Sequence, residues 1–355
     1  MKKTIDFTSG YSSRLFFIKS IADITLSDIK KQSKVLILIS EKIDGEIADA
    51  VNKTIFAAGS VPFIFRLQDG EKCKTIDGAL KISAFLSDNG FTVNDVIINI
   101  GGGTVCDLGG FVASVYKRGI KYFNLPTTLL CAVDACFGGK TAIDCGGIKN
   151  LWGTFYQPAK VFIVSDIIEN LPEPLIKAGM SEIVKYAVID GEFFDYLTAL
   201  PIDLFNAKLS EITQKCLEIK AEIVVRDEKD KDIRHTLNCG HTVAHAVEIR
   251  SGYSISHADA VSLGLISETE IAYKVGLISE QRYHALNVLY GKYFGDHATL
   301  SGRDLYELIP YMSHDKKNKS NKICFVLPCE NSVKAVYYTE KEILKVIGNG
   351  YSFNQ

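Results

Sequence analysis

The chain has 355 residues, of which 47% are hydrophobic and 23% are charged, a balance typical of a globular protein large enough for two hydrophobic cores. Its formal net charge of −2 excludes a strongly basic protein, so we expect neither nucleic acid nor an anionic membrane as a partner. The sequence also lacks an apolar stretch long enough for a membrane span and the apolar core of a signal peptide.

In the first half of the chain, short apolar runs alternate with longer amphipathic stretches. The runs are nearly continuous, which is typical of strands buried on both faces, and they predict strands over residues 35–39, 61–65, 96–100, 122–125 and 161–164. Apolar residues at helical spacing predict helices over residues 44–58 and 76–89. This alternation favours a parallel sheet with helices on its faces.

Helical patterns dominate from about residue 171 onward. They predict helices over residues 178–189, 209–227, 236–249, 259–275 and 279–289. We therefore predict an α/β domain over residues 1–170 and a mainly α-helical domain over residues 171–355.

The nine cysteines are scattered along the chain, without the C-x-x-C spacing of a zinc ribbon or a thioredoxin-type motif. Reduced thiols are the simplest interpretation of such a set. We therefore expect a cytoplasmic protein.

The predicted strand over residues 96–100 runs directly into Gly101, Gly102 and Gly103. A strand, a glycine turn and a helix form the context in which main-chain N–H groups bind a pyrophosphate. Cys106 stands where the G-x-G-x-x-G pattern has its last glycine. From the residues alone, a nucleotide site and a tight turn without a ligand are equally supported.

The segment Gly138-Gly139-Lys140-Thr141 resembles the end of a phosphate-binding P-loop. That motif requires another glycine five residues before the G-K-T glycine. Asp134 occupies this position, and its carboxylate would repel the phosphates. We therefore exclude a P-loop nucleotidase.

Three histidines, His241, His245 and His257, are close together in the sequence, and the first two lie four residues apart. On a helix this spacing places two imidazoles on one face. Imidazole suits zinc and similar ions, and a catalytic zinc site combines three protein ligands with an open position. The spacing does not decide which two histidines bind, or which carboxylate completes the set.

Glu182 and Lys185 lie one helical turn apart among largely apolar neighbours. Such a pair on a surface helix would be an ordinary ion pair of little energetic consequence. The apolar surroundings instead favour an interior site.

Taken together, these segments resemble the 3-dehydroquinate synthase family of the sugar-phosphate cyclase superfamily. The matching segments follow the family's order along nearly the whole chain: GGGTVCDLGGFVASVYKRG from Gly101, LPTTLL from Leu125, VD at 133–134, GGKT at 138–141, KNL at 149–151, AGMSEIVKY from Ala178, IKAEIVVRDEKDKDIR from Ile219, NCGHTVAHAVE from Asn238 and DKK at 315–317.

This resemblance implies a Rossmann-like NAD-binding domain over residues 1–170 and an α-helical metal- and substrate-binding domain over residues 171–355. The active site would lie in the cleft between them, and the enzyme would be a homodimer. The implied cofactors are NAD and one divalent metal ion, with zinc expected and cobalt as the alternative.

The site residues that follow from the resemblance fall into four groups. The metal ligands would be Glu182, His241 and His257. The catalytic residues would be Lys140, Lys185, Lys220, Arg234, Asn238 and His245. Further substrate contacts would come from Asp134, Lys149, Asn150, Lys316 or Lys317, and Arg118, which would reach the phosphate bound by the partner subunit. The NAD contacts would be Glu71, Lys74, Gly102, Gly103, Asp107, Thr127, Thr128, Lys140 and Lys149.

The implied substrate is a small phosphorylated sugar acid, 3-deoxy-D-arabino-heptulosonate 7-phosphate, and several fixed cations suit its phosphate and carboxylate. In the implied reaction NAD takes a hydride, phosphate is eliminated, the hydride returns, and an intramolecular aldol closure gives 3-dehydroquinate for aromatic amino acid biosynthesis. The substrate's own phosphate is a candidate base for the elimination, so no side chain is assigned to that step.

Several positions depart from the family pattern. Ala258-Asp259 stands where Gly-Glu is usual, and other departures are Glu41, Cys106, Ala135, Cys136 and Asp230. Three alternatives therefore remain: a sister cyclase of the inosose or valiolone type, a metal-dependent polyol dehydrogenase of related fold, and a catalytically silent paralogue. Matches at Lys220, Arg234, Asn238 and His245 favour the dehydroquinate enzyme.

Overall fold

The computed structural model describes residues 1–26, 29–68, 70–296, 298–313, 318 and 321–348. The chain divides into two compact units. One comprises Met1–Ile176 and Ala207–Lys229, and the other comprises Lys177–Asn206 and the chain from Asp230 onward.

The strands and helices are numbered in chain order. The strands are β1 (Lys2–Asp6), β2 (Ser12–Ile18), β3 (Lys34–Ser40), β4 (Val61–Leu67), β5 (Val96–Gly101), β6 (Lys121–Pro126), β7 (Lys140–Cys145), β8 (Ile148–Phe155), β9 (Lys160–Val164), β10 (Ile323–Pro328) and β11 (Val333–Tyr338). The helices are α1 (Gly45–Ala57), α2 (Ile76–Asp88), α3 (Gly103–Val115), α4 (Ser165–Ile168), α5 (Glu173–Ile189), α6 (Gly191–Ala199), α7 (Leu209–Arg226), α8 (His241–Arg250), α9 (His257–Lys274), α10 (Glu280–Phe294), α11 (Gly302–Met312) and α12 (Glu340–Gly348).

In the first unit, the described residues form a seven-stranded sheet in the order β1-β2-β9-β6-β5-β3-β4. β1 is antiparallel to β2, whereas the other neighbouring pairs are parallel. β7 and β8 form a separate antiparallel hairpin. The parallel sheet predicted from the alternating pattern is confirmed, with all five predicted strands in it.

The strand β3 shows why these apolar runs become central strands. Leu36 and Leu38 lie in one hydrophobic cluster, while Ile37 and Ile39 lie in another, and all four are fully buried. Alternate residues of a strand point to opposite faces, so a continuous apolar run supplies two cores at once. Each such side chain contributes about 1.5–3 kcal/mol by its burial.

The helix α7 belongs to the first unit, although the sequence pattern grouped it with the second half of the chain. It packs against β1, α4 and the short π-helix Cys131–Ala135. An amphipathic pattern shows that one face of a helix is buried, but it does not show which core covers that face. The predicted functional division at residues 170 and 171 stays a prediction, as does an active site between the domains.

The second unit is mainly helical, as predicted, with one small hairpin of β10 and β11 among its described residues. The prediction of one continuous helix over residues 236–249 is wrong, because this stretch forms two separate segments. A 3-10 turn over Ile233–Asn238 precedes α8. Gly240 between them has a φ of +81°, a left-handed conformation that glycine adopts readily and that interrupts a helix.

Candidate metal centre and active-site residues

Three potential metal ligands converge in the second unit. Glu182 lies in α5, and His241 and His257 are the first residues of α8 and α9. The Nε2 atoms of His241 and His257 lie 3.4 Å and 3.5 Å from Glu182 Oε1. One ligand atom from each residue lies within 4.8 Å of the others, and no other group of this kind occurs among the described residues. A carboxylate and two imidazoles suit a divalent cation with an open position.

The second nitrogen of each imidazole faces an acceptor. Nδ1 of His241 lies 3.1 Å from the carbonyl oxygen of Cys239, and Nδ1 of His257 lies 3.5 Å from Glu248 Oε2. When a cation takes the Nε2 lone pair of each imidazole, an N–H at Nδ1 would donate to these oxygens. Metal-binding histidines commonly use this arrangement, so the residues fit a bound cation.

The Glu182 carboxylate forms an ion pair with Lys185, and both side chains are 1% exposed. Burial raises the pKa of Glu182, but the Lys185 ammonium and hydrogen bonds from His241 and His257 outweigh it and hold the pKa well below its usual value. Glu182 is therefore ionised at neutral pH, as a metal ligand must be. Burial on this scale does not fit the alternative of a solvated surface pair.

The two histidines differ in their protonation. Burial lowers the pKa of His241 to about 4, so its imidazole is neutral at pH 7. Burial also lowers the pKa of His257, but its contacts with Glu182 and Glu248 outweigh that effect and raise the pKa to about 9. A cation that binds at His257 would therefore displace a proton.

His245 lies one helical turn after His241, and their ring centroids are 5.5 Å apart. It is not part of the three-residue group. The sequence left open which two of the three histidines act together, and the geometry pairs His241 with His257. His245 remains the predicted acid, base or hydrogen-bonding group beside them.

Two further predicted residues of the second unit lie on the 3-10 turn before α8. Arg234 is 1% exposed. The Asn238 side chain donates from Nδ2 to the carbonyl oxygen of His235 at 3.1 Å. Their contacts with substrate stay predictions. Lys316 and Lys317 lie outside the described residues.

The glycine turn of the first unit has the predicted strand–turn–helix form. β5 ends at Gly101, and α3 begins at Gly103. A Cβ at position 101 would lie 2.5 Å from Val105, so only glycine fits there. The Thr127 N–H donates to the Gly101 carbonyl at 3.0 Å. Thr127, another predicted NAD contact, is therefore held next to the glycine turn. Thr128 follows, and its Oγ1 accepts a hydrogen bond from the N–H of Cys131.

Predicted NAD and substrate residues share one network around Lys74, which is 3% exposed. Its Nζ donates to Asp107 Oδ2 at 2.8 Å and to Asn150 Oδ1, and it lies 3.4 Å from Glu71 Oε1. Glu71 also accepts a hydrogen bond from Thr104 Oγ1 at 2.7 Å. Burial lowers the pKa of Lys74, but Asp107 and Glu71 outweigh it and raise the pKa. The lysine is therefore a buried, charged anchor.

A second ion pair of the first unit joins Asp134 to Lys220 of α7. The Lys220 Nζ lies 2.7 Å from Asp134 Oδ1 and donates to its main-chain oxygen at 2.7 Å. Both residues were predicted to contact substrate, and they lie far apart in the sequence. The fold therefore brings together two groups that the resemblance named separately.

The other predicted basic residues of the first unit are Arg118, Lys140 and Lys149. Arg118 is exposed and has a φ of +68°, and its reach to a partner subunit stays a prediction. Lys140 is exposed and begins β7, whereas a P-loop lysine would begin a helix, so the exclusion of that motif holds. Lys149 lies on β8, where its charge contributes to lowering the pKa of Glu71.

Two of the departures from the family pattern have a local explanation. Asp259 accepts a hydrogen bond from Ser256 Oγ at 2.6 Å, and the Ser256 hydroxyl accepts one from the Asp259 N–H at 3.1 Å. The shorter acid thus takes part in the cap of α9. Asp230, with a φ of +55°, lies 3.1 Å from His235 Nδ1.

The sequence reasoning missed Glu248, Thr104 and the Cys239 carbonyl. Glu248 lies within the quoted NCGHTVAHAVE segment, but no local pattern pairs it with a histidine of the next helix. Thr104 follows the glycines at the start of a predicted helix. A hydroxyl at this position was the only sequence feature that could have indicated its hydrogen bond to Glu71.

Comparison with known proteins identifies the family. Residues 64–178 match the family model for the 3-dehydroquinate synthase N-terminal region, and residues 179–318 match that for its C-terminal region. The chain is 36% identical to 3-dehydroquinate synthase of Clostridium tetani, over 90% of this chain and 86% of the relative. It is 35% identical to that of Alkaliphilus metalliredigens, over 87% and 88%.

Solved structures share the fold. A 2-deoxy-scyllo-inosose synthase complexed with carbaglucose-6-phosphate, NAD+ and Co2+ superposes with a TM-score of 0.83 at 22% identity, covering 98% of this chain and 99% of that one. A 2-epi-5-epi-valiolone synthase from Streptomyces hygroscopicus with NAD+ and Zn2+ bound gives a TM-score of 0.81 at 19% identity, with 95% of each chain covered. The family models and the curated relatives together show that the chain belongs to the 3-dehydroquinate synthase family.

Proposed function

We propose that this chain converts 3-deoxy-D-arabino-heptulosonate 7-phosphate into 3-dehydroquinate and phosphate, with NAD and one divalent metal ion as cofactors. The observation that carries this proposal is the convergence of Glu182, His241 and His257 in a chain of this family.

The metal ion would be held by the Glu182 carboxylate and the Nε2 atoms of His241 and His257. We propose zinc, which this donor set suits, with cobalt as the second candidate. Two solved structures of the same fold contain Co2+ and Zn2+, which supports a divalent ion here. When bound, such an ion acts as a Lewis acid on a substrate hydroxyl.

The NAD site would be built on the glycine turn and the first turn of α3. Gly102 and Gly103 allow close approach of a pyrophosphate, and the free main-chain N–H groups of a helix start favour negative charge. Glu71, Lys74 and Asp107 would complete the site, since their network lies against this helix. When bound, NAD accepts a hydride and returns it, so there is no net oxidation.

The chain's own residues would position the substrate and stabilise its charges. Lys220 is oriented by Asp134, so its ammonium would be fixed before an anion arrives. Lys185 compensates the buried charge of Glu182. His245 would hold or transfer a proton at a substrate oxygen. No side chain is assigned as the base for phosphate elimination, because the leaving phosphate can remove that proton itself.

We also propose that the enzyme works as a homodimer in which Arg118 contacts the partner subunit's substrate. The support is that Arg118 is exposed and projects from a turn with left-handed backbone at Lys117 and Arg118. The test mixes an Arg118→Ala chain with a chain inactivated at the metal centre. In a mixed dimer, the site with the intact metal centre would receive Arg118 from the other chain, so part of the activity should return.

The deciding experiment supplies purified protein with NAD, zinc and a panel of sugar phosphates. We expect phosphate release from the heptulosonate phosphate without accumulation of NADH. Release from glucose 6-phosphate or sedoheptulose 7-phosphate alone would instead identify a sister cyclase. Sustained NADH formation would identify a polyol dehydrogenase, and no turnover with any substrate would favour a silent paralogue.

A further inference from the structure

Glu268 is a fully buried carboxylate that no step of the proposed reaction uses. It lies in α9 and is 0% exposed. Its oxygens accept hydrogen bonds from the main-chain N–H groups of Gly240 at 2.8 Å, Thr242 at 3.0 Å and Val243 at 3.2 Å. These donors surround His241, the first residue of α8.

The beginning of a helix leaves main-chain N–H groups without partners, and a side chain at the preceding position usually satisfies them. That position before α8 is Gly240, which has no side chain to act as a cap. Glu268 replaces the missing cap from a neighbouring helix. Its negative charge also lies at the positive end of the α8 dipole.

Close backbone contact fixes the same two helices against each other. Gly264 lies one turn before Glu268 in α9, and a Cβ there would lie 1.8 Å from the Gly240 carbonyl oxygen. A Cβ on Gly240 would in turn lie 2.8 Å from Leu265 Cγ. The start of α8 therefore rests directly on α9, the helix that begins with His257.

We propose that Glu268 is a positioning residue of the metal centre. By anchoring the first turn of α8 on α9, it sets His241 relative to His257 before a cation binds. This inference rests on the proposed metal site formed by Glu182, His241 and His257. Ligands held in place in advance bind a metal more tightly, because less freedom is lost on binding.

The test compares Glu268→Gln with Glu270→Gln. Glu270 lies on the same helix in a more exposed ion pair with Lys274 at 2.7 Å, so it is a matched control. A glutamine keeps one acceptor but turns an amide N–H group toward main-chain donors. We expect Glu268→Gln to bind zinc about 10- to 100-fold more weakly, as measured by competition with a chromogenic chelator. The control should equal the wild type.

The visible spectrum of bound cobalt gives a second readout, because it depends on coordination geometry. We expect it to change in Glu268→Gln and to be unchanged in Glu270→Gln. If Glu268→Gln does not fold, Glu268→Asp decides the question. It keeps the charge but shortens the reach, and weakened zinc binding with retained folding would support the proposal.

Some outcomes overturn the inference. Wild-type zinc affinity and an unchanged cobalt spectrum in a less stable Glu268 variant would show that the residue only stabilises the fold. If the Glu268 variant gives this result while the wild type binds zinc and His241→Ala does not, the proposed metal centre stands and only the role of Glu268 is refuted. If the wild-type protein binds no zinc, the proposed metal centre itself fails and the inference fails with it.

Discussion

The two units gather charged side chains in opposite ways. In the second unit, Glu182, His241 and His257 direct electron-pair donors at one another beside the Lys185 ammonium. In the first unit, the Lys74 ammonium is enclosed by two carboxylates and the amide of Asn150. The cluster of Glu182, His241 and His257 in the second unit gains most from an added cation. The cluster of the first unit is already built around the Lys74 ammonium. Binding of metal should therefore stabilise one unit, while the other is organised without it.

The strongest test of this contrast is His241→Ala. Removing a direct ligand should weaken zinc binding by more than the roughly 10- to 100-fold cost of losing an outer hydrogen-bonding partner, and turnover should fall to background. Zinc content after dialysis and phosphate release measure the two effects. Retention of one zinc per chain would show that the three donors do not form the site.

His245→Ala should separate metal binding from catalysis. The residue lies outside the three-ligand group, so zinc content should be unchanged. Loss of a general acid or base typically lowers the rate by about 10²- to 10⁴-fold, and we expect a decrease in kcat within that range. A variant that also loses its metal would contradict the assignment of His257, rather than His245, as the ligand.

Lys74→Met tests the claim that the first unit needs its own buried cation. The change removes the ammonium group from Asp107 and Glu71, although Glu71 keeps its hydrogen bond from Thr104. Breaking a buried ion pair costs about 3–5 kcal/mol of unfolding free energy, and we expect a smaller loss here because the two carboxylates are 21% and 42% exposed. Urea unfolding would measure the loss, and NAD titration should show weaker binding. The exposed Lys72→Met, in the same turn, is the control and should change little. Added zinc should not rescue Lys74→Met.

The smallest expected effect is a pH dependence at Glu71. Burial raises its pKa, but Lys74, a hydrogen bond from Thr104 and the charge of Lys149 outweigh it, so the folded value lies below the usual 4.5. A lowered folded pKa means that the interaction stabilises above 4.5 and is lost as the pH falls through the folded value. Glu71→Gln should therefore reduce the acid sensitivity of unfolding slightly. An unchanged pH profile would indicate that solvent screens this pair.

The comparison also shows which site features were predictable. Helical spacing placed His241 and His245 on one face of one helix, and the motif order supplied Glu182 and His257. This spacing did not show which two of the three histidines bind the metal. His257 belongs to another helix, α9, and local periodicity does not show how α9 packs against α8. Glu248 and Glu268 escaped notice for this reason, since each acts on the neighbouring helix.

By itself, the sequence determined the apolar runs of the sheet, the glycine turn before α3 and, through the motifs it shares with the family, the three residues expected as metal ligands. Local patterns show which face of a strand or helix is buried, and they are visible in a single amino-acid sequence. Only the tertiary structure decided that α7 joins the first unit, that Lys74 contacts Asn150, and that Gly264 rests against Gly240. These contacts join distant segments, so they follow from how whole elements pack and not from the residues beside them.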